Sequence, residues 1–281
     1  MEYLLQQGAE VDMNLQYGDG GSALASAADA DRLDNVKLFV EKGANINNML
    51  SGGRYGSALA AAAASYSDES LKYLLDHNAD VNMPLSAGKY GSALAAAASE
   101  RRIENAKLLV EARAHVNMQL SSGRYGSALA ATVANWGDVD TVYYLLEKGA
   151  NVDMPLLTGK YGIALAAAAT RWNTVETVNR FLEKGAKANI SLSFGEYGSP
   201  LAAAGGDNSI EVIQCLMDGG GRNIYASLEN GKFGSALTAA GYEVDRRKLE
   251  FLLEAQADAN LEFNTDCGNA LTAYAAFACS F

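Results

Sequence analysis

Gly88-Lys89-Tyr90-Gly91-Ser92-Ala93-Leu94-Ala95-Ala96-Ala97 decides the fold, because it returns along the chain at a nearly fixed interval. Close copies are Gly53-Arg54-Tyr55-Gly56-Ser57-Ala58-Leu59, Gly123-Arg124-Tyr125-Gly126-Ser127-Ala128-Leu129 and Gly159-Lys160-Tyr161-Gly162-Ile163-Ala164-Leu165. Looser copies follow at Gly195-Glu196-Tyr197-Gly198-Ser199-Pro200-Leu201 and Gly231-Lys232-Phe233-Gly234-Ser235-Ala236-Leu237, and degenerate ones lie near both termini. With the second Gly as register, the copies begin at 21, 56, 91, 126, 162, 198, 234 and 268, in steps of 35, 35, 35, 36, 36, 36 and 34. A period of that size marks a solenoid, in which each unit touches only its neighbours. The 281 residues are therefore read as one domain, 1–281. It comprises a half repeat at 1–20, full repeats from about 21, 56, 91, 126, 162, 198 and 234, and a partial repeat at 268–281.

One unit, 91–125, gives the local rules. Ser92 is placed to accept a hydrogen bond from a free N–H of the first helical turn. The run Ala93–Ala98 that follows has the highest helix propensity available and forms helix A, which is expected to end near Ser99-Glu100. After a polar turn at Arg101-Arg102, Ile103, Ala106, Leu109 and Val110 recur at helical spacing and form helix B, about Ile103 to Ala112. An acid opens helix B in most units (Asp34, Glu69, Glu104, Asp140, Glu176, Glu211), where it complements the helix dipole. Helix B ends at Gly43, Asn78, Gly149, Gly185 or Gly220, residues that tolerate left-handed backbone. Arg113 and Gln256 hold that column in two units and predict strain there. The link onward alternates apolar and polar, as in Val81-Asn82-Met83-Pro84-Leu85, and predicts a short hairpin finger with Tyr90 beyond its Gly88 turn. Ile163 breaks the capping Ser column, so Ile163→Ser is expected to raise the melting temperature.

Helix, turn, helix, Gly-Ala-Asn-Val-Asp and finger together resemble the ankyrin repeat. The matching residues are Gly43-Ala44-Asn45-Ile46-Asn47, Asn78-Ala79-Asp80-Val81-Asn82 and Gly149-Ala150-Asn151-Val152-Asp153. The family's Thr-Pro-Leu-His-x-Ala is replaced by Ser-Ala-Leu-Ala-Ala-Ala, a variant similar to fungal-type tracts carrying Tyr-Gly-Ser-Ala-Leu. Pro survives only as Pro200 and the His not at all, so cohesion between units is expected from Ala-to-Ala packing and the Tyr column. The resemblance implies an all-α class with short β-hairpin fingers: an ankyrin-like α-solenoid of about seven full helix-turn-helix repeats plus half repeats at both ends. It also implies protein binding, through finger tips and a concave helix A surface.

Composition narrows the function. Twenty-two basic against 33 acidic residues give net charge −11, which argues against a nucleic-acid or anionic-membrane binder. No apolar run is long enough for a membrane span, and the N-terminus lacks the basic start of a secretory signal. Cys215, Cys267 and Cys279 show neither a disulfide framework nor zinc spacing, which places the chain in an intracellular, reducing compartment, cytoplasm first and nucleus second. His77 and His115 sit on unmatched columns. Gly219-Gly220-Gly221 and Gly18-Asp19-Gly20-Gly21 lack the strand–helix context of a phosphate cradle. No catalytic, metal-ligating or cofactor-binding residues are assigned, and the chain is not expected to be an enzyme.

The one patterned surface feature precedes the Tyr column: Asp19, Arg54, Lys89, Arg124, Lys160, Glu196, Lys232, Asp266. Arg54-Tyr55, Lys89-Tyr90, Arg124-Tyr125 and Lys160-Tyr161 are the candidate partner-binding residues, for an acidic peptide or protein surface. The rings either take part or pack between fingers. The helix A alanines (Ala61, Ala96, Ala131, Ala167, Ala203) either leave room for a partner or permit close helix stacking. Trp136 and Trp172 are either anchors or covers of the A–B turn. The function expected is a non-catalytic interaction scaffold; the alternative is a sensor or targeting tract of a larger enzyme or receptor. Because both ends cut through a repeat, self-association through uncapped ends is a further expectation.

Overall fold

A computed structural model describes residues 2–135, 138–170, 174–207, 209–221, 231–263, 265 and 267–278. The chain divides into two compact units, Met1–Thr132 and Val133–Phe281. Among the described residues there are sixteen helices and no strand. A lone helix α1 (Glu2–Gln6) is followed by the pairs α2 (Ala23–Asp29) and α3 (Leu33–Glu41), α4 (Ala58–Ala64) and α5 (Glu69–Asp76), and α6 (Ala93–Ser99) and α7 (Ile103–Glu111). Then come α8 (Ala128–Ala134) and α9 (Val139–Glu147), α10 (Ala164–Ala168) and α11 (Val175–Glu183), and α12 (Pro200–Asp207) and α13 (Ile210–Asp218). The pair α14 (Ala236–Tyr242) and α15 (Arg246–Glu254) precedes a single α16 (Ala270–Ala278).

The first helix of each pair starts where the sequence places it. The hydroxyls of Ser22, Ser57, Ser92, Ser127, Ser199 and Ser235 each accept the N–H three residues on, at 3.1 Å. Pro200 occupies the first helical position, which needs no N–H. Ile163 makes no side-chain cap, and the helix after it is one of the shortest, five residues. In the first unit, α2, α4 and α6 pack in series on one side and α3 meets α5 on the other. In the second, α10, α12, α14 and α16 form one series and α9, α11, α13 and α15 the other.

Alanine is what lets these helices come close. Ala61 and Ala96 are fully buried in the first unit, as are Ala167 and Ala203 in the second, and every residue of α4 and α6 is buried. Of the two readings of the alanine column, room for a partner or close helix stacking, those repeats show the second. One polar position inside helix B joins consecutive repeats. Asn105 donates its Nδ2 to the carbonyls of Ala63 and Ser65 at 3.1 Å, and Lys248 donates its Nζ to Gly205 and Gly206 at 3.2 and 3.3 Å. Both satisfy carbonyls left over at the end of the preceding helix A, and the Lys248 charge complements that helix terminus.

The fingers exist, but not as paired strands. Each is closed by one bond, from the N–H of Leu50, Leu85, Leu120, Leu156 or Leu192 to the carbonyl of Gly56, Gly91, Gly126, Gly162 or Gly198, at 2.8–3.1 Å. One bond per finger makes a loop rather than a ladder. The leucine that donates it is buried and anchors the loop to the helices. Arg113 and Gln256 do adopt left-handed backbone, φ 69° and 71°, as their column requires. Asp31, Arg101 and Val244, in the turns between paired helices, share that conformation at φ 52–60°, which the sequence did not signal because no glycine marks it.

Candidate functional site: the finger tips

Glycine brings neighbouring fingers together. A Cβ on Gly88, whose φ is +87°, would lie 2.8 Å from the Arg54 carbonyl oxygen and 3.0 Å from the Gly56 nitrogen. At that separation backbone meets backbone, which only Gly permits. The tips consequently hydrogen-bond in series. In the first unit the N–H of Arg54 donates to Asp19, that of Lys89 to Arg54, and that of Arg124 to Lys89, at 2.7, 2.8 and 2.9 Å. In the second unit Glu196 donates to Lys160 and Lys232 to Glu196, at 2.7 and 2.6 Å. The residues so connected are those that carry the tip charges.

A second series runs at the foot of the fingers. Asn47 accepts the Asp80 N–H at 2.7 Å and donates to the Asn78 carbonyl at 3.1 Å. Asn82 repeats both contacts with His115 and Arg113, at 2.7 and 3.0 Å. Asp12 and Asp153 accept the N–H of Asn45 and Lys187. Cohesion thus comes from backbone and Asn/Asp bridges as well as from alanine packing. The recurrence of Asn47, Asn82 and Asp153 in the sequence was the signal for it.

The tyrosine rings lie inside. Tyr55, Tyr90, Tyr125 and Tyr161 are all buried, Tyr90 completely. Tyr55 stacks on Tyr90 at 6.0 Å in the first unit, and Tyr161 on Tyr197 at 6.3 Å in the second. Tyr55 donates its hydroxyl hydrogen to Asp29, Tyr90 donates to Glu100 at 2.5 Å, and Ser99 donates to the Tyr125 hydroxyl at 3.2 Å. The rings' role is therefore to fill the space between fingers and helix A.

The cations lie over those rings. Arg54 is 5.5 Å from the Tyr55 centroid, Lys89 5.0 Å from that of Tyr90, and Lys160 5.2 Å from that of Tyr161. Three of the sequence-derived residues converge on one acid that the sequence did not single out. Arg54 Nη2 and Lys89 Nζ each lie 3.0 Å from Glu100 Oε1, and Arg54 Nε donates to the Tyr90 hydroxyl at 3.1 Å. Burial would raise the Glu100 carboxyl, but the hydrogen bonds from Tyr90 and Lys89 and the charges of Lys89 and Arg54 outweigh it, holding the carboxyl below its usual range. Burial, then the Glu100 hydrogen bond, push the Tyr90 phenol well above its ordinary value. The Arg54 side chain still keeps 43% of its surface exposed; Arg124 in the first unit and Lys160 in the second are exposed too.

Other sequence candidates take local roles. His77 Nδ1 lies 2.8 Å from the Tyr73 carbonyl, and its ring packs on Tyr73. Cys215 is buried and its thiol is pushed up by burial. Trp136, Trp172, Asp266 and Cys279 lie outside the described residues. Among the described residues no group of three or more His, Cys, Asp or Glu could hold a metal ion, and no helix is long and apolar enough to cross a membrane.

Paired helices of 35-residue period, joined by fingers that bond tip to tip, define an ankyrin-type array. The family model described as ankyrin repeats, in three copies, matches residues 1–84 and 59–156, and the chain belongs to that family. Among solved structures 519 chains match. One is the crystal structure of the human ASB11 ankyrin repeat domain, with a TM-score of 0.65 and 24% identity, covering 83% of this chain and 97% of that one. No curated protein sequence matches. Ankyrin repeats are in general protein–protein interaction modules.

Proposed function

We propose that this chain is a non-catalytic scaffold that holds an acidic segment of a protein partner along its finger tips. The observation that carries this reading is the series of backbone bonds from Asp19 through Arg54 and Lys89 to Arg124, which holds three cationic residues in consecutive order, Arg54 and Arg124 exposed and Lys89 half-buried between them. Preorganised cations lose little freedom when an anion binds, so more of the Coulomb attraction is retained. Glu100 shows the chemistry such an anion would meet, since its carboxylate already draws Arg54, Lys89 and the Tyr90 hydroxyl together. With the rings and helix A alanines buried, recognition rests on the charged heads of Arg54, Lys89 and Arg124 in the first unit, and of Lys160 in the second, rather than on the tyrosines.

The probe is a fluorescent polyglutamate peptide, titrated by anisotropy. The combined variant Arg54→Glu, Lys89→Glu, Arg124→Glu, Lys160→Glu should lose at least about tenfold in affinity, with the helical circular-dichroism signal retained. Arg124→Glu alone, which leaves the Glu100 contacts in place, should weaken binding in the same direction. Unchanged affinity in both would contradict the proposal.

A further inference from the structure

Given that the finger tips hold an acidic segment of a partner, as proposed, we infer that the second unit selects a segment in which a large apolar side chain stands next to the acid. Charge alone is a poor guide there. In the first unit the bonded tips carry Arg54, Lys89 and Arg124. In the second the bonded series is Lys160, Glu196 and Lys232, and the acid in its middle opposes an unbroken run of acids laid along it.

Where the sign alternates, the tips turn apolar. Two positions follow the buried leucine that anchors each finger. In the three cationic fingers of the first unit they hold Ser51-Gly52, Ser86-Ala87 and Ser121-Ser122, all small. In two fingers of the second unit they hold Leu157-Thr158 and Ser193-Phe194. Leu157 is 58% exposed and Phe194 45%, although the leucines before them, Leu156 and Leu192, are buried.

These two fingers are joined. The Glu196 N–H donates to the Lys160 carbonyl at 2.7 Å, and a Cβ on Gly162 would strike the Phe194 carbonyl oxygen. Lys160 belongs to the junction as well: its Nζ lies 5.2 Å from the Tyr161 centroid of its own finger and 5.9 Å from that of Tyr197 on the next. One exposed apolar residue on a surface is ordinary. Here two stand on a bonded pair of fingers, at positions that are small in the cationic fingers, together with an exposed cation held over both rings. A leucine-like or aromatic side chain of the partner would cover Leu157 and Phe194, and the carboxylate beside it would meet Lys160.

Two fluorescent peptides of equal length test this by anisotropy on the 281-residue chain: polyglutamate, and polyglutamate with a Leu-Leu pair at its centre. The wild type should bind the leucine peptide at least about fivefold tighter. The double variant Leu157→Ser, Phe194→Ser should bring the leucine peptide down to the affinity of polyglutamate and leave polyglutamate itself unchanged. Equal affinity of the two peptides for the wild type, or a preference that survives in the double variant, overturns the inference. If the double variant loses its helical signal, Leu157→Ser and Phe194→Ser taken singly carry the comparison, each removing part of the preference. Charge recognition at the tips is tested separately, by polyglutamate against the fourfold charge reversal, so the two can fail independently.

Discussion

Ile163 sets two residue-scale effects against each other. A serine there would restore the missing cap, a gain of about 1 kcal/mol. The side chain it replaces is 2% exposed, and losing a buried isoleucine costs about 1.5–3 kcal/mol. The loss is larger, so Ile163→Ser should lower stability by about 1 kcal/mol, a fall of roughly 2–4 °C in melting temperature. This reverses the expectation from sequence, where only the capping role was visible; a higher melting temperature would contradict the burial argument. Glu100 makes the second residue-scale prediction. Its folded pKa lies below the ordinary 4.5, so its contribution is complete above about pH 4.5 and is lost as pH falls through the folded value. Tyr90 works in the other direction: its folded pKa lies above 10.0, so its contribution is complete below that and is lost as pH rises through the folded value. Urea denaturation from pH 7 to pH 3 should therefore show a steeper loss in the wild type than in Glu100→Gln, and parallel curves would contradict it. The capping serines were legible because they recur. Glu100 was not, because its neighbours in that column, Ser65 and Asn135, are not acids.

At the scale of the element, fingers and helices depend on bridges that the sequence contained but did not explain. Helix boundaries could be read closely: a helix A ending near Ser99-Glu100 and a helix B over about Ile103–Ala112 are expected, and α6 and α7 end at Ser99 and Glu111. The hairpins could not, since alternation in Val81-Asn82-Met83-Pro84-Leu85 signals extended chain but not where its N–H groups go. Those of Asn82 and Met83 turn back to Asp80, and that of Leu85 goes to Gly91 within its own finger. Asn82→Ala removes one acceptor and one donor on exposed backbone, a cost of about 1–2 kcal/mol. Hydrogen exchange locates it: the His115 amide should exchange faster in the variant while the Leu109 amide, inside α7, keeps its protection in proportion to the global loss. An unchanged His115 rate would show that the bridge does not carry the contact.

For the whole molecule, periodicity made the family legible before any coordinate, because eight copies of one motif specify one supersecondary unit. The candidate surface was legible only in part. The cations stand where the sequence placed them, but their aromatic partners proved to be core, since a Tyr column reads alike whether it points outward or fills the gap between repeats. What separates the two is the hydroxyl's partner, an acid or serine at the C-terminal end of a helix A, at a separation no motif encodes. The tip reading also makes Glu100 an internal competitor, whose carboxylate occupies the cations an acidic partner would need. Polyglutamate affinity of Glu100→Gln, measured beside the wild type at pH 7 and low salt, tests that directly. The account predicts several-fold tighter binding when the competing charge is removed; equal or weaker binding would contradict it.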